Sequence, residues 1–388
     1  MPLAPAYIVA ARRTALGRVG GLHKSRRIED LAAPVIAAAL ADAKLKPDRV
    51  DEVILGNASH GGNPTRLIAL AAGLSERVSA STIDRQEGSG LDAILSACRS
   101  IGAGDAEAVV AGGAESLSTA PWRIAKPKSL YQMPRFMPFE TVEPADGEEP
   151  EAIEAIEDLS KSLGLDRARQ DAWALRSHLK AQMAREAKSF VGEIVPLRGN
   201  AEEARDQSAV EPNLEDLEKL SPFLRPGGSL TPGNTSIPHD GAGIVVAVSE
   251  AVWAELGKPP ALRLVASAAE GVAPDAEPTA PINAMKKLYN RLSGFNPKDV
   301  GVVELAESSA AQALAFTSQL GIEDDILNPD GGAVVRGRPY GAAGAILVVR
   351  LFSRMVRAGT APKPRLGIAA LGTAGGMGLA ALFEAVGT

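Results

Sequence analysis

The sequence predicts an α/β protein made of two duplicated halves with a long segment inserted between them. Three observations carry this expectation. Short apolar runs alternate with helically periodic stretches near both ends of the chain, the pattern of a sheet covered on both faces. The two ends echo each other in motif order. Between them, from Ser118 to about His239, the alternation gives way to polar and prolyl connections.

Taken in order, residues 6–10 form an apolar run and read as a strand, followed by a turn-like Arg12-Arg13-Thr14 leading to Gly17. Helical periodicity then runs over residues 28–43, with Asp30 near its start. Residues 50–55 read as a second strand ending at Gly56, and His60-Gly61-Gly62-Asn63-Pro64 turns into a helix over 66–72. Residues 81–83 are a third strand. Asp84-Arg85-Gln86-Glu87 follows, and Gly88-Ser89-Gly90 opens a helix through Leu91, Ile94, Leu95 and Cys98. Glu87 thus stands at a strand-to-helix elbow, where free backbone N–H groups and the positive end of the helix dipole favour an anion. A fourth strand, 108–111, closes at Gly112-Gly113-Ala114-Glu115.

In the central segment an acidic run spans 140–158, and one strong helix is expected over 167–187. Strands return at 241–248 and 261–267. The echo between the halves then becomes specific: 49–55 corresponds in pattern to 298–305, the Gly-Ser-Gly elbow to Gly341-Ala342-Ala343-Gly344, and 108–111 to 366–371. The expected domains are 1–118, completed by about 240–258; the insertion 119–239; and 259–388.

With 388 residues, 45% of them hydrophobic, the chain can bury a large core. A net charge of −6 with scattered Lys and Arg gives no basic footprint, so no nucleic-acid partner is expected. No apolar run approaches the roughly 20 residues of a membrane span, and a cytoplasmic protein without a membrane partner is the expectation. One cysteine excludes an internal disulfide, and the spacing of His23, His60, His178 and His239 suggests no metal site.

The elbow Ile83 to Ile94 resembles the nucleophile segment of the thiolase family, Asn-x-x-Cys-Gly-Ser-Gly, with Glu87 in place of the cysteine. Other motifs extend the resemblance over essentially the whole chain. Arg13-Thr14 with its Gly-rich turn is similar to the family's first loop, Gly62 to Arg66 to its Asn-Pro-Ala-Arg segment, and Ala111 to Ser118 to Ala-Gly-Gly-x-Glu-x-Met-Ser. Gly233-Asn234-Thr235-Ser236 with Asp240-Gly241-Ala242, and Asn328 to Gly344, resemble two further segments. The resemblance implies the thiolase fold: two α/β halves in five layers, αβαβα, with an inserted loop domain that cradles coenzyme A.

It also implies a degenerate site. The family uses a cysteine nucleophile, a histidine that activates it, an asparagine that orients water in an oxyanion hole, and a second cysteine that shuttles a proton. The matching positions are Glu87, Arg338, Ala306 and Gly372, and Ala306-Glu307-Ser308-Ser309-Ala310 stands for Asn-Glu-Ala-Phe-Ala. Trp122 replaces a loop-domain histidine. Standard thiolysis and Claisen condensation are therefore not expected.

Two readings of Glu87 stay open. In one, Glu87 and Arg338 form an ion pair that holds the elbow together without chemistry. In the other, Glu87 is a general base in altered acyl-CoA chemistry or, more remotely, a carboxylate nucleophile. As a protein, the chain is accordingly either an acyl-CoA enzyme or a noncatalytic scaffold or regulatory subunit of an acyltransferase complex.

No cofactor is required, and coenzyme A or an acyl-CoA is the expected ligand. Ser236 matches the family serine that contacts the pantetheine arm. Arg225, or Lys219, is offered for phosphate contact because Ser221 replaces an arginine. Cys98 reads as a buried hydrophobe, His60 as a solvent-facing or packing residue in a loop near the elbow that could also present an imidazole, and His239 as loop packing. A homodimer or homotetramer is expected, using the edge strand at 79–83.

Overall fold

The computed structural model describes residues 4–127, 129, 131–137, 152–197, 204–207, 213–357 and 365–387. The first strand, β1 (Ala6–Arg13), runs three residues past the expected end, so Arg12 and Arg13 lie in the strand and do not form a turn. Arg13 can stay inside because its guanidinium is wholly buried against two carboxylates, Asp206 at 2.7 Å and Glu193 at 2.5 Å. A charge this deep is tolerated only when paired.

The rest of the first half follows as β2 (Gly17–Arg18), α1 (Ile28–Asp42), β3 (Glu52–Gly56), α2 (Pro64–Ala71), β4 (Ser79–Ile83), α3 (Ser89–Ala103) and β5 (Ala108–Glu115). Helix α2 begins at Pro64, two residues before the expected start, because proline at the first helical position has no N–H to leave unsatisfied. Strand β5 runs on through Gly112-Gly113 to Glu115 and does not close at the glycines.

Within the inserted segment lie the hairpin strands β6 (Ile124–Ala125) and β7 (Arg135–Phe136), then α4 (Ala152–Ser162), α5 (Arg167–Glu186) and α6 (Leu214–Glu218). The expected single helix is α5, and α4 is an addition to it. Helix α4 forms within the acidic run because Ile156 and Ser160 bury one face, and Glu157 turns inward to accept the Ser229 N–H at 2.9 Å. Residues 140–151 of that run lie outside the described residues.

Beyond the insertion come β8 (His239–Ser249), α7 (Glu250–Glu255), β9 (Ala261–Gly271), α8 (Ala280–Asn290), β10 (Val300–Ala306), α9 (Ala310–Leu320), α10 (Ala333–Arg336), α11 (Tyr340–Met355), β11 (Leu366–Thr373) and β12 (Met377–Val386). Strand order is β10-β11-β12-β9-β1-β8-β5-β3-β4. The duplication is visible in this order. In the first half β3 pairs in parallel with β5, which pairs antiparallel with β8; in the second, β10 pairs in parallel with β11, which pairs antiparallel with β12. Even β4 has its counterpart, a single parallel bridge from Val303 to Leu327. The two sheets meet where β1 and β9 pair through Tyr7–Arg263 and Ile8–Leu262.

Five layers result. Helices α1 and α2 cover the outer face of the first sheet in a core with Ile36, Val53 and Val246. Helices α8 and α9 cover the outer face of the second with Met285, Phe316 and Leu382. Between the sheets α3 and α11 form the central layer, largely buried in a core with Leu91, Ile94, Val348 and Leu371. Their close approach requires glycine. A methyl group at Gly90 would sit 2.7 Å from the Gly341 carbonyl oxygen and 3.0 Å from the Ala345 nitrogen. Since these two helices carry the elbow and the Arg338 turn at their N-terminal ends, their packing brings the two motifs together. No helix among the described residues is long and apolar enough to cross a membrane.

Candidate active site

The elbow is held in shape from within. Gln86 adopts φ 49°, the left-handed region that side-chain-bearing residues seldom occupy. Its N–H donates to Asp84 Oδ1 at 3.0 Å, and Ser89 Oγ donates to its carbonyl at 2.5 Å while accepting the Arg85 N–H at 2.8 Å. Gly88 and Ser89 use their N–H groups on the carbonyls of Arg85 and Gln86. The anion-favouring groups expected at this helix start are thus partly spent inside the turn.

Glu87 is 2% exposed and reaches across to the other half. Its Oε1 lies 3.2 Å from Arg338 Nη2, and its Oε2 accepts the backbone N–H of Ala374 at 2.9 Å. The expected pairing of Glu87 with Arg338 is present. The Ala374 N–H was not foreseen, because a backbone donor in the turn between β11 and β12 leaves no mark in side-chain identity. Arg338 is positioned by its backbone: its N–H donates to the Ile237 carbonyl and its carbonyl accepts from His239 N–H, both at 3.1 Å. Its guanidinium lies 5.7 Å from the Tyr340 ring centre.

Ala306 ends β10 and is paired with Leu371 on β11, which places it beside the strand carrying Gly372. A side chain at Gly372 would face Pro281 Cδ at 3.2 Å and Gln312 Nε2 at 3.5 Å. Neither position supplies a polar side chain. Next to them Glu307 is wholly buried and accepts from Asn328 Nδ2 at 3.1 Å and Val334 N–H at 3.3 Å; burial pushes its carboxyl up to about 6.

Ser236 is partly exposed, and its hydroxyl donates to the Ser308 carbonyl at 3.1 Å, tying the end of the insertion to the loop after β10. Arg225 is exposed and lines a groove with Glu154, Glu157 and Asp158, while Lys219 pairs with Glu215 at 2.8 Å. Both cations offered for phosphate therefore have carboxylates as neighbours. Trp122 is 82% exposed and meets Phe136 edge to face at 5.5 Å. His60 Nδ1 lies 2.9 Å from Ser59 Oγ, and burial depresses its pKa. His239 is buried with Nδ1 2.9 Å from the Ile237 carbonyl. Cys98 lies inside α3 in the central core, where burial pushes its thiol up to about 12 and makes it inert as a nucleophile. Among the described residues no cluster of His, Cys, Asp and Glu could hold a metal ion.

Sequence reading also missed a second set of charges beside Arg338. Arg336 and Arg350 are buried, as are Glu304, Glu193 and Asp330. Two signals were available: an arginine in the otherwise apolar run of α11, and a glutamate in the apolar strand β10.

A five-layered pair of α/β halves whose two central helices present facing motifs defines a thiolase-fold protein. The chain belongs to the thiolase family: the model "Thiolase, N-terminal domain" matches residues 6–251 and "Thiolase, C-terminal domain" residues 258–385. It is 37% identical to the VraB protein of Staphylococcus epidermidis over 383 residues, covering 97% of each chain. It is 36% identical to an acetyl-CoA acetyltransferase of Cupriavidus necator over 392 residues, covering 97% of this chain and 98% of that one. The crystal structure of the Bacillus anthracis acetyl-CoA acetyltransferase superposes with a TM-score of 0.91 at 33% identity, over 99% of this chain and all of the other.

Proposed function

We propose that the protein binds acyl-CoA thioesters and does not carry out thiolysis or Claisen condensation. The observation that supports this reading is the engagement of both Glu87 oxygens, one by Arg338 and one by Ala374 N–H, at the position matching the family nucleophile. A carboxylate held this way is a weak nucleophile toward a thioester, and arginine cannot serve as the base. Ala306 and Gly372 add no group that could replace the missing asparagine and cysteine. Each Glu87 oxygen keeps a second lone pair, so a general-base role needs no partner to be given up; the ion pair with Arg338 across the two halves is what favours holding over reacting. Ser236 is the proposed pantetheine contact, and the proposed domains are 1–118 with 240–258, 119–239 and 259–388.

Titration calorimetry with acetyl-CoA, joined to a thiolysis assay with acetoacetyl-CoA and intact-mass measurement, tests this. Binding without cleavage and without an acetyl adduct is expected. An adduct on any residue during turnover overturns the proposal. Turnover of some acyl-CoA that disappears in Glu87→Gln while binding persists would establish Glu87 as a general base. Failure to bind would leave the scaffold role.

A further inference from the structure

Strand β9 pairs with β12 from Ala261 to Gly271 but with β1 only at Leu262 and Arg263, so among the described residues its other edge stands open over 264–271. The alternation of an antiparallel ladder tells which groups face that edge. Val272 N–H donates to the Gly376 carbonyl in the turn before β12, so residues 266, 268 and 270 face β12, while Ser267 and Ala269 face away from it. Val265 is 40% exposed, and a groove of about 470 Å³ lies beside it, bounded by residues 4–6 and by Cys98 and Arg99 of α3. An extended chain has room to approach there.

The outward carbonyls are nevertheless taken. Lys287, in the last turn of α8, donates to the Ala269 carbonyl at 2.9 Å, and Arg291, just past the end of that helix, donates to the Ser267 carbonyl at 2.6 Å. An ion pair with Glu270 holds the Lys287 ammonium in place. The first half closes the matching edge of β1 by similar means. There the Ala11 carbonyl accepts from Arg357, and the Arg13 N–H and carbonyl pair with Glu193 and Val195 of the inserted segment at 3.0 and 2.8 Å. Among the described residues no inserted segment lies along β9, and two cations stand in its place.

We propose that Lys287 and Arg291 guard the open edge of β9, and that the partner they keep off is the same edge of a second copy of this chain. A free antiparallel edge can pair with itself about a two-fold axis, because the strand supplies its own complement. With the guard in place, an incoming β9 has to displace both cations from the carbonyls it needs. It also brings its own two cations to about one strand spacing, roughly 5 Å, from the first pair. The consequence concerns assembly. Strand β4 is another open edge, and a molecule that pairs with copies of itself at two edges grows into a chain, whereas one that does so at β4 alone stops at a pair.

Residue-resolved hydrogen exchange on the full chain reads the edge directly. In the wild type the Ser267 and Ala269 amides should exchange about tenfold or more faster than those of Ala268 and Glu270, which face β12. Equal protection would mean that a strand already lies on the edge, and it overturns the proposal. The double variant Lys287→Ser, Arg291→Ser should slow exchange at Ser267 and Ala269 and show a light-scattering mass that climbs with concentration to about twice the wild-type mass or more. Arg291→Ser alone, which leaves the Lys287–Glu270 pair intact, should move both readouts in the same direction by less. Adding Ser267→Pro to the double variant removes an edge N–H while sparing the ladder to β12, and should return the mass to the wild-type value. Variants that keep the wild-type mass and the rapid edge exchange overturn the guard. Self-association that survives Ser267→Pro overturns β9 as the surface.

Discussion

Arg338 Nη2 stands 3.2 Å from Glu87 Oε1 across the boundary between the two halves of the chain. The Glu87 side chain is 3% exposed and that of Arg338 14%, so the pair is shielded from solvent but not sealed. Removing one partner of such a pair strands the other charge. Glu87→Gln and Arg338→Met should each lower the unfolding free energy by about 3 kcal/mol in urea titrations, and the double variant should lose less than the sum. Additive losses would mean that the two side chains are not coupled.

The buried carboxyl of Glu304 makes stability fall as pH rises. Its folded-state pKa of about 7 lies above its ordinary value of 4.5, so the folded chain holds the proton more tightly than the unfolded one. That contribution is fully present below about pH 4.5 and is lost as pH climbs through about 7. Glu193, held at about 2, acts oppositely and in a separate window: its contribution is present above 4.5 and lost as pH falls toward 2. The difference in urea midpoint between wild type and Glu304→Gln, followed from pH 5 to 8, should therefore shift against the wild type as pH rises. A flat difference would show that Glu304 does not titrate there.

Among the described residues strand β4 ends the sheet and pairs on one side only, with β3. Its sequence, Ser-Ala-Ser-Thr-Ile, is short and partly exposed, which suits an edge covered by a second copy. Light scattering should return at least twice the chain mass. A concentration-independent monomer would defeat this.

Gly90 sets the distance between α3 and α11. Gly90→Ala would push a methyl group into the Gly341 carbonyl, and backbone cannot swing aside as a side chain can. A loss of about 1–3 kcal/mol in unfolding free energy is expected. Because the same contact aligns the elbow with the Arg338 turn, the Glu87–Arg338 coupling measured by the double-variant cycle should shrink in this background.

The identity of the fold was legible in the chain because alternating apolar runs and glycine-marked turns are local signals, and because the duplication prints the same signals twice. The candidate site was legible only as a resemblance: Glu87, Arg338, Ala306 and Gly372 stand within motifs whose neighbours match the family pattern. Strand ends were less so. Strand β1 passes through Arg12 and Arg13 because Asp206 and Glu193, nearly two hundred residues away, supply the counter-charges, and no local window contains them. The same holds for the partners of Glu87. One is a side chain 251 positions downstream and the other is a backbone N–H, which has no residue type to betray it. The buried charge cluster of Arg13, Arg350, Glu193 and Asp330 belongs wholly to tertiary structure, since its members come from β1, α11, the inserted segment and the turn before α10 and meet only once those elements have packed. Sequence determined which groups the site would own; packing decided which of them meet, because burial and pairing depend on distances that chain order does not encode.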